Sequence, residues 1–168
     1  MRIIGLLLFL VLPLLAPQKA YQMSADDYCI TPFAQELLTL INDYRTQNGK
    51  GPLVITKTLG AAAQHHSDDM AENDYFAHTL SDGTTWSKNM TNHGYTYTTY
   101  RGENLAGNSA NAQGVFIQWK NSYGHNANLL NKNYKAIGIG QAYNADARYD
   151  WYTTATFGGI VDTKASLC

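Results

Sequence analysis

The 168-residue chain contains few cysteines and little charge, and both shortages restrict its functions. It has two cysteines, Cys29 and Cys168, in no Cys-x-x-Cys arrangement, so the sequence supports neither a thiol redox site nor a cysteine-ligated zinc site. Charged residues make up 15% of the chain, and its 12 basic residues form no stripe. We therefore expect no nucleic-acid partner, since nucleic-acid-binding surfaces concentrate basic charge.

Long apolar runs are also scarce, and the one present lies at the N-terminus. Arg2 precedes residues 3–15, which are nearly all apolar. This run is shorter than the roughly 20 residues that span a bilayer, and Ala20 offers a small-residue cleavage site. We interpret residues 1–20 as a secretory signal peptide, with an uncleaved anchor as the alternative. The remaining residues 21–168 are expected to form one secreted, extracellular domain without a transmembrane anchor.

Two sequence features suit a secreted protein. Cysteines in such proteins usually pair, and a bridge between Cys29 and Cys168 would join the two ends of the mature chain. The loop-entropy model assigns such a bridge roughly 4–5 kcal/mol. Free thiols or intermolecular pairing are the alternatives. Asn89-Met-Thr91 is a glycosylation sequon, so Asn89 is predicted to carry a glycan in a eukaryotic host.

Helix and strand signals are mixed along the chain. Thr31-Pro32 predicts the start of a helix that ends at Asn48-Gly49, and Thr58 is predicted to cap a second helix. Further helices are expected near residues 84–90, 110–121 and 125–130, and strands over 95–100, 135–142 and 151–157. Gly138 and Gly140 are expected to let a helix approach their strand closely. Because helices and strands do not alternate regularly, the predicted fold class is α+β.

Several short motifs occur in an order that resembles the CAP superfamily, the secreted cysteine-rich, antigen-5 and pathogenesis-related-1 proteins. They are Ile41-Asn-Asp-Tyr-Arg45, Phe76-Ala-His78, Gly102-Glu-Asn-Leu105, the segment from Ser122 to Leu130, Ile137-Gly-Ile-Gly140 and the segment from Trp151 to Gly158. The likeness covers about residues 32–159 and is similar to the shorter bacterial and fungal type. It implies a three-layer α-β-α sandwich with an antiparallel sheet between helices.

The resemblance also implies a central cleft with titratable side chains. His78, Glu103 and His125 match its cleft positions, and two imidazoles with a carboxylate are the ligand set of many zinc sites. We therefore predict these three residues as ligands of zinc or another divalent cation. Each has an ordinary alternative, since Glu103 could hold a loop, His125 could cap a helix, and His78 could be a half-buried histidine.

Other polar residues near this cleft receive smaller roles. Ser122 and Asn104 are predicted to line it, with Asn104 mainly satisfying backbone groups. Ser122 stands where many animal members carry a second glutamate, so the pair of carboxylates used in some hydrolases is incomplete. His66 is expected on the apolar face of the second helix and is not predicted as a ligand, and His93 is expected in a solvated loop.

The expected function is a non-enzymatic, secreted binding module for a lipid or sterol ligand, a fatty acid, an extracellular protein or a wall component. One alternative is a metal-dependent, peptidase-like hydrolase that uses Glu103 as base or ligand. A second alternative is a wall-associated structural protein stabilised by metal. The aromatic segment Tyr95–Tyr100 could line a lipid groove or a partner-binding face, or form an ordinary strand.

Overall fold

A computed structural model describes residues 23–168, and the predicted signal peptide lies outside this range. The described part contains helices α1 Pro32–Gln47, α2 Lys57–Glu72, α3 Trp86–Asn92, α4 Ala112–Asn121 and α5 Tyr123–Leu129. Its strands are β1 Val54–Ile55, β2 Arg101–Gly107, β3 Ala136–Tyr143 and β4 Trp151–Gly158. This mixture confirms the predicted α+β class. Within residues 23–168, no helix combines the length and apolarity needed to cross a membrane.

The four strands form one sheet in the order β1-β3-β4-β2. Strand β4 lies at the centre and runs antiparallel to both β3 and β2. The two-residue strand β1 adds a parallel pairing with β3, which the sequence did not predict. Strand β2 therefore occupies an edge of the sheet.

Alternation along β3 produces the three layers. Ile137 and Ile139 belong to the buried cluster that also contains side chains of α1 and α4. The alternate residues, Gly138 and Gly140, face α2 at very short range. A methyl group on Gly138 would lie 2.0 Å from the carbonyl carbon of Leu59. At Gly140 it would lie 2.3 Å from a backbone nitrogen of α2. Helices thus cover both faces of the sheet, which confirms the sandwich and the predicted close approach.

Arg45, near the end of α1, fixes the C-terminal end of α5 through a buried guanidinium. Its side chain is 1% exposed and donates to the carbonyl oxygens of Gly51 (2.8 Å), Leu129 (2.6 Å), Asn131 (3.1 Å) and Tyr134 (3.3 Å). Burial lowers the pKa of Arg45 from its usual value. These bonds tie α1 to the helix that carries His125.

The disulfide between Cys29 and Cys168 joins the two ends of the described chain, as predicted, across 139 positions. Backbone bonds flank it: the Ile30 N–H donates to the Ser166 oxygen at 2.8 Å, and the Cys168 N–H donates to the Ile30 oxygen at 3.2 Å. The C-terminal segment is therefore held beside the start of α1 by hydrogen bonds as well as by the bridge.

The segment Tyr95–Tyr100 is not a strand, contrary to prediction; the strand begins at Arg101. Arg101 donates to the backbone oxygens of Tyr95 (2.6 Å) and Tyr97 (3.1 Å), which are then occupied by a side chain rather than by a neighbouring strand. Tyr95 is itself buried, and its hydroxyl donates to the Ile160 oxygen at 2.8 Å. The alternating tyrosines therefore consist of one buried residue, Tyr95, followed by Tyr97 and Tyr100, which are exposed in a loop.

The start of α2 also differs from prediction. The helix begins at Lys57 with Thr56 at its N-cap, so Thr58 lies inside the first turn. The Thr58 hydroxyl donates to the Asp162 carboxylate at 2.5 Å instead of capping the helix. No local pattern places Asp162 beside this turn, because it lies 104 positions away.

Asn89 packs α3 against α2. Its side chain is 1% exposed, and the Nδ2 atom, which would carry a glycan, donates to the Ala62 oxygen at 2.9 Å. Its Oδ1 atom contacts His65 Nδ1 at 2.8 Å. The folded chain therefore does not offer the predicted Asn89 site to a glycan. His93 is half-buried rather than solvated, with its ring 5.0 Å from that of His65, and burial lowers its pKa.

Candidate functional site

Glu103 lies in the edge strand β2 and faces α2. It pairs with Thr156 of β4, whose hydroxyl donates to the Leu59 oxygen of α2 at 2.9 Å. Because paired residues of neighbouring strands share a face, Glu103 points to the same side. Glu103 is 5% exposed. The next residue, Asn104, lies on the opposite face of the sheet.

Each carboxylate oxygen of Glu103 meets an imidazole. Oε2 lies 2.8 Å from Nδ1 of His66, whose side chain is fully buried in α2. Oε1 lies 2.8 Å from Nδ1 of His78, in the loop after α2, whose side chain is 52% exposed. Glu103 thus connects a buried histidine to one at the surface of the cleft. The structure brings His78 and Glu103 together, as the resemblance implied.

His66 is the site residue that the sequence reasoning missed. Its Nε2 atom lies 3.0 Å from the backbone oxygen of Ala77, so both ring nitrogens face oxygen atoms. Both contacts are hydrogen bonds when the ring carries a proton on each nitrogen, or when Glu103 supplies the proton to Nδ1. A histidine on the apolar face of an alanine-rich helix was the available signal, because a buried imidazole needs polar partners.

The environment of His78 favours its protonated form. The hydrogen bond to Glu103 raises the pKa of His78 above its usual value, partial burial opposes this, and the Glu103 charge adds to the increase. The carboxylate accepts from Nδ1–H, so Nε2 is the ring nitrogen that Glu103 leaves available. In the neutral ring this atom holds the lone pair that binds metals.

The environment of His125 has the opposite effect. Burial lowers the pKa of His125, and the nearby positive charge of His78 lowers it further. The residue lies in the first turn of α5, where the helix dipole also disfavours the charged ring. The neutral form is therefore favoured, with burial as the main cause.

Asn104 was predicted to line the cleft, but its side chain is buried. It is fully buried and its Nδ2 donates to the backbone oxygen of His125 at 3.1 Å. Its Oδ1 accepts from Nδ2 of Asn128 at 2.8 Å, and the same nitrogen lies 3.1 Å from the Glu103 backbone oxygen. Asn104 therefore attaches α5 to β2, which agrees with its expected backbone-satisfying role and sets the position of His125.

Two cavities border these histidines. A cavity of about 300 Å³ lies beside His125, and its lining includes Phe76, Leu105, Gln118, Ser122, His125 and Tyr149. The Phe76 and Tyr149 rings pack edge to face with centroids 5.3 Å apart. A second cavity of about 330 Å³ is lined by His78, Trp86, Arg101, Gly102, Glu103 and Asn128. Ser122 therefore lines the same cavity as His125.

The side chains predicted to bind a metal are His78, Glu103 and His125. Within residues 23–168, no three His, Cys, Asp or Glu side chains are grouped so as to hold a metal ion. Both oxygens of Glu103 are already in contact with imidazoles. The three-ligand set of His78, Glu103 and His125 stays a prediction, and the carboxylate has the geometry of a partner to the histidines.

Relatives by sequence are bacterial. An uncharacterized protein of Bacillus subtilis strain 168, YkwD, is 33% identical over 123 residues, which cover 73% of this chain and 48% of the relative. An uncharacterized membrane protein of the same organism, YlbC, is 33% identical over 110 residues, covering 66% of this chain and 32% of the relative. The chain thus spans about half and about a third of the lengths of these two proteins.

Solved structures show the same fold. An extracellular protein containing an SCP domain from Bacillus anthracis matches with a TM-score of 0.64 and 27% identity, covering 74% of this chain and 39% of that one. An outer surface protein of Borrelia burgdorferi matches with a TM-score of 0.66 and 25% identity, covering 74% and 90%. Residues 38–157 match the model of the cysteine-rich secretory protein family, CAP. The chain therefore belongs to the CAP family.

Proposed function

We propose that this chain is a secreted, extracellular CAP domain that binds a ligand or partner without chemical turnover. In this proposal its cleft holds a divalent cation such as zinc through His78 and His125. The observation that carries the proposal is the position of Glu103, whose two carboxylate oxygens each lie 2.8 Å from a histidine nitrogen. In this proposal the carboxylate positions the histidines and does not act as a general base.

The contact between His78 and Glu103 supports metal binding through His78. A histidine that ligates a metal usually donates its other ring N–H to a carboxylate or carbonyl, which fixes the ring and its tautomer. The Nδ1 atom of His78 lies 2.8 Å from Glu103 Oε1, as this arrangement requires. Nε2 is then the atom that would bind the cation.

His125 supports the second metal contact. Its lowered pKa favours the neutral imidazole, the form that binds metals. The charge of His78 contributes to that lowering. A bound cation held by two imidazoles retains coordination positions for water or for an atom of the ligand. The cation would polarise such an atom and fix its position.

The cavity beside His125 supports ligand binding next to the cation. It combines the aromatic rings of Phe76 and Tyr149 with the polar groups of Gln118, Ser122 and His125. Its volume of about 300 Å³ lies at the small end of the range for ligand sites. We expect it to accept one part of a larger molecule, such as a lipid head group or a side chain or sugar of a wall component.

Zinc titration by calorimetry tests the proposal on the oxidised protein. We expect one zinc ion per chain, and loss of most of the affinity in His78→Ala and in His125→Ala. His93→Ala is the matched control, because His93 is a half-buried histidine that contacts Asn89 away from the cleft. Absence of binding in the parent protein, or equal affinity in all three variants, would refute the cation site.

A further inference from the structure

We propose that His66 is the positioning residue of this cleft. In this role it orients His78 by holding two groups at once: the carboxylate that binds the His78 ring and the backbone that precedes it. Nδ1 of His66 contacts Glu103 Oε2 at 2.8 Å, and Nε2 contacts the Ala77 backbone oxygen at 3.0 Å. The inference deepens the proposed function, because it identifies what presents the metal-binding nitrogen.

The first step is the rigidity of His66. Its side chain is fully buried, and it projects from α2, the helix that packs against Gly138 and Gly140 of β3 without intervening side chains. An imidazole has two nitrogens at fixed separation in one planar ring. A ring anchored in this helix therefore sets the distance between the carboxylate of β2 and the backbone of the loop that carries His78.

The second step is the attachment of the loop to α2. Asp69, three positions after His66 in α2, accepts from the Ser81 N–H at 2.8 Å and from the Tyr75 hydroxyl. These contacts hold the two ends of the segment Tyr75–Ser81. The contact of His66 with Ala77 holds its middle, immediately before His78. Of these α2 contacts, only those of His66 reach both the loop and Glu103.

The third step is the consequence for the His78 ring. With Oε2 held by His66, Glu103 presents Oε1 to Nδ1 of His78 at 2.8 Å. A carboxylate accepts only, so the neutral His78 ring carries its proton on Nδ1 and its lone pair on Nε2. Loss of His66 would leave Oε2 without its partner in a buried position, and the carboxylate would turn or recruit water. The tautomer of His78 would then no longer be fixed.

The test measures the tautomer of His78 directly, in the metal-free protein at alkaline pH, by ¹⁵N–¹H correlation of the histidine rings. We expect a single Nδ1–H tautomer in the parent chain. His66→Phe keeps a buried ring but removes both ring nitrogens, so we expect mixed tautomers and a zinc affinity about 10–100-fold lower. His66→Gln restores a donor toward Glu103 and is expected to recover most of the Nδ1–H form.

His65→Ala is the matched control, since it removes the neighbouring helical histidine that contacts Asn89 instead of Glu103. A folded His66→Phe variant with the parent ¹⁵N pattern would overturn the inference, and so would an equal tautomer change in His65→Ala. If His66→Phe does not fold, the shorter His66→Asn replaces it with the same two criteria. Failure of the parent chain to bind zinc would refute the proposed function, while the metal-free tautomer would still decide the role of His66.

Discussion

Removal of the disulfide should destabilise the chain mainly by freeing its unfolded state. The bridge between Cys29 and Cys168 closes a loop of 139 positions. For a loop of that length, the chain-entropy model gives a contribution of about 5 kcal/mol to the free energy of unfolding. Measured contributions of native disulfides in small secreted domains are about 2–5 kcal/mol, which sets the lower bound of the prediction.

The folded state should change little in the double variant Cys29→Ser, Cys168→Ser. The backbone bonds from Ile30 to Ser166 and from Cys168 to Ile30 remain possible, since neither uses a sulfur atom. The destabilisation therefore falls on the unfolded state, which becomes more expanded without the bridge. Besides a lower unfolding free energy, we expect a larger denaturant m-value, because a freer chain exposes more surface on unfolding.

Guanidinium chloride unfolding of the parent and the double variant measures both quantities. A loss of 2–5 kcal/mol corresponds to a fall in Tm of roughly 4–20 °C for a domain of this size. Reduction of the parent protein should give the same destabilisation, which controls for the serine substitutions. A loss under about 1 kcal/mol with an unchanged m-value would refute the loop-closure reasoning.

Three further predictions concern packing and the cleft. Gly138→Ala should lower the free energy of unfolding by several kcal/mol or prevent folding, because the new methyl group would lie 2.0 Å from the α2 backbone. Gly124→Ala is the control and should be neutral, because a methyl group there meets open space. Comparable melting temperatures of the two variants would contradict this prediction. Arg45→Met should lower the free energy of unfolding by about 3–5 kcal/mol, because it leaves buried carbonyl oxygens unpaired. Denaturant unfolding measures this loss, and a value under about 1 kcal/mol would contradict the prediction. Zinc affinity should fall on acidification, by about tenfold per pH unit below the pKa of His78, because protons compete with the metal for this ring and its raised pKa moves the competition to higher pH than in an ordinary histidine. Affinity independent of pH between 8 and 5, measured by calorimetry, would contradict the cation site.

The parts of the fold that sequence predicted are those with local causes. Thr31 caps α1 by accepting from the Ala34 N–H at 3.2 Å, and Pro32 opens the helix, as their residue types indicate. Gly138 and Gly140 lie where a helix meets the sheet, and no larger residue fits there. Capping acts within a few residues, and a missing side chain is visible in the sequence even though the helix that it admits lies elsewhere in the chain, so a single sequence carries both signals.

The features that sequence did not predict depend on the partners of particular side chains. The carbonyl oxygens of Tyr95 and Tyr97 accept from Arg101, so a pattern typical of a strand forms an irregular segment. Asn89 satisfies the sequon pattern, yet its amide is buried against α2. Each outcome depends on which side chain meets which backbone group, and local propensity contains no such information.

The candidate site was predicted in part for the same reason. The motifs identified Glu103 and His78, which the structure joins, and the cavity-lining positions of Ser122 and His125. They did not identify His66, because its partner lies 37 positions away on a different element. The opposite orientations of Glu103 and Asn104 follow from strand alternation, but only once that motif is known to be a strand.

The ligands of the proposed cation can be identified directly. A crystal structure of the oxidised protein with zinc, with anomalous differences measured at the zinc edge, locates the ion directly. We predict one ion bound to Nε2 of His78 and to His125, with Glu103 still hydrogen-bonded to Nδ1 of His78 and to His66. An ion bound to a Glu103 oxygen, or an ion found only away from these histidines, would contradict the account.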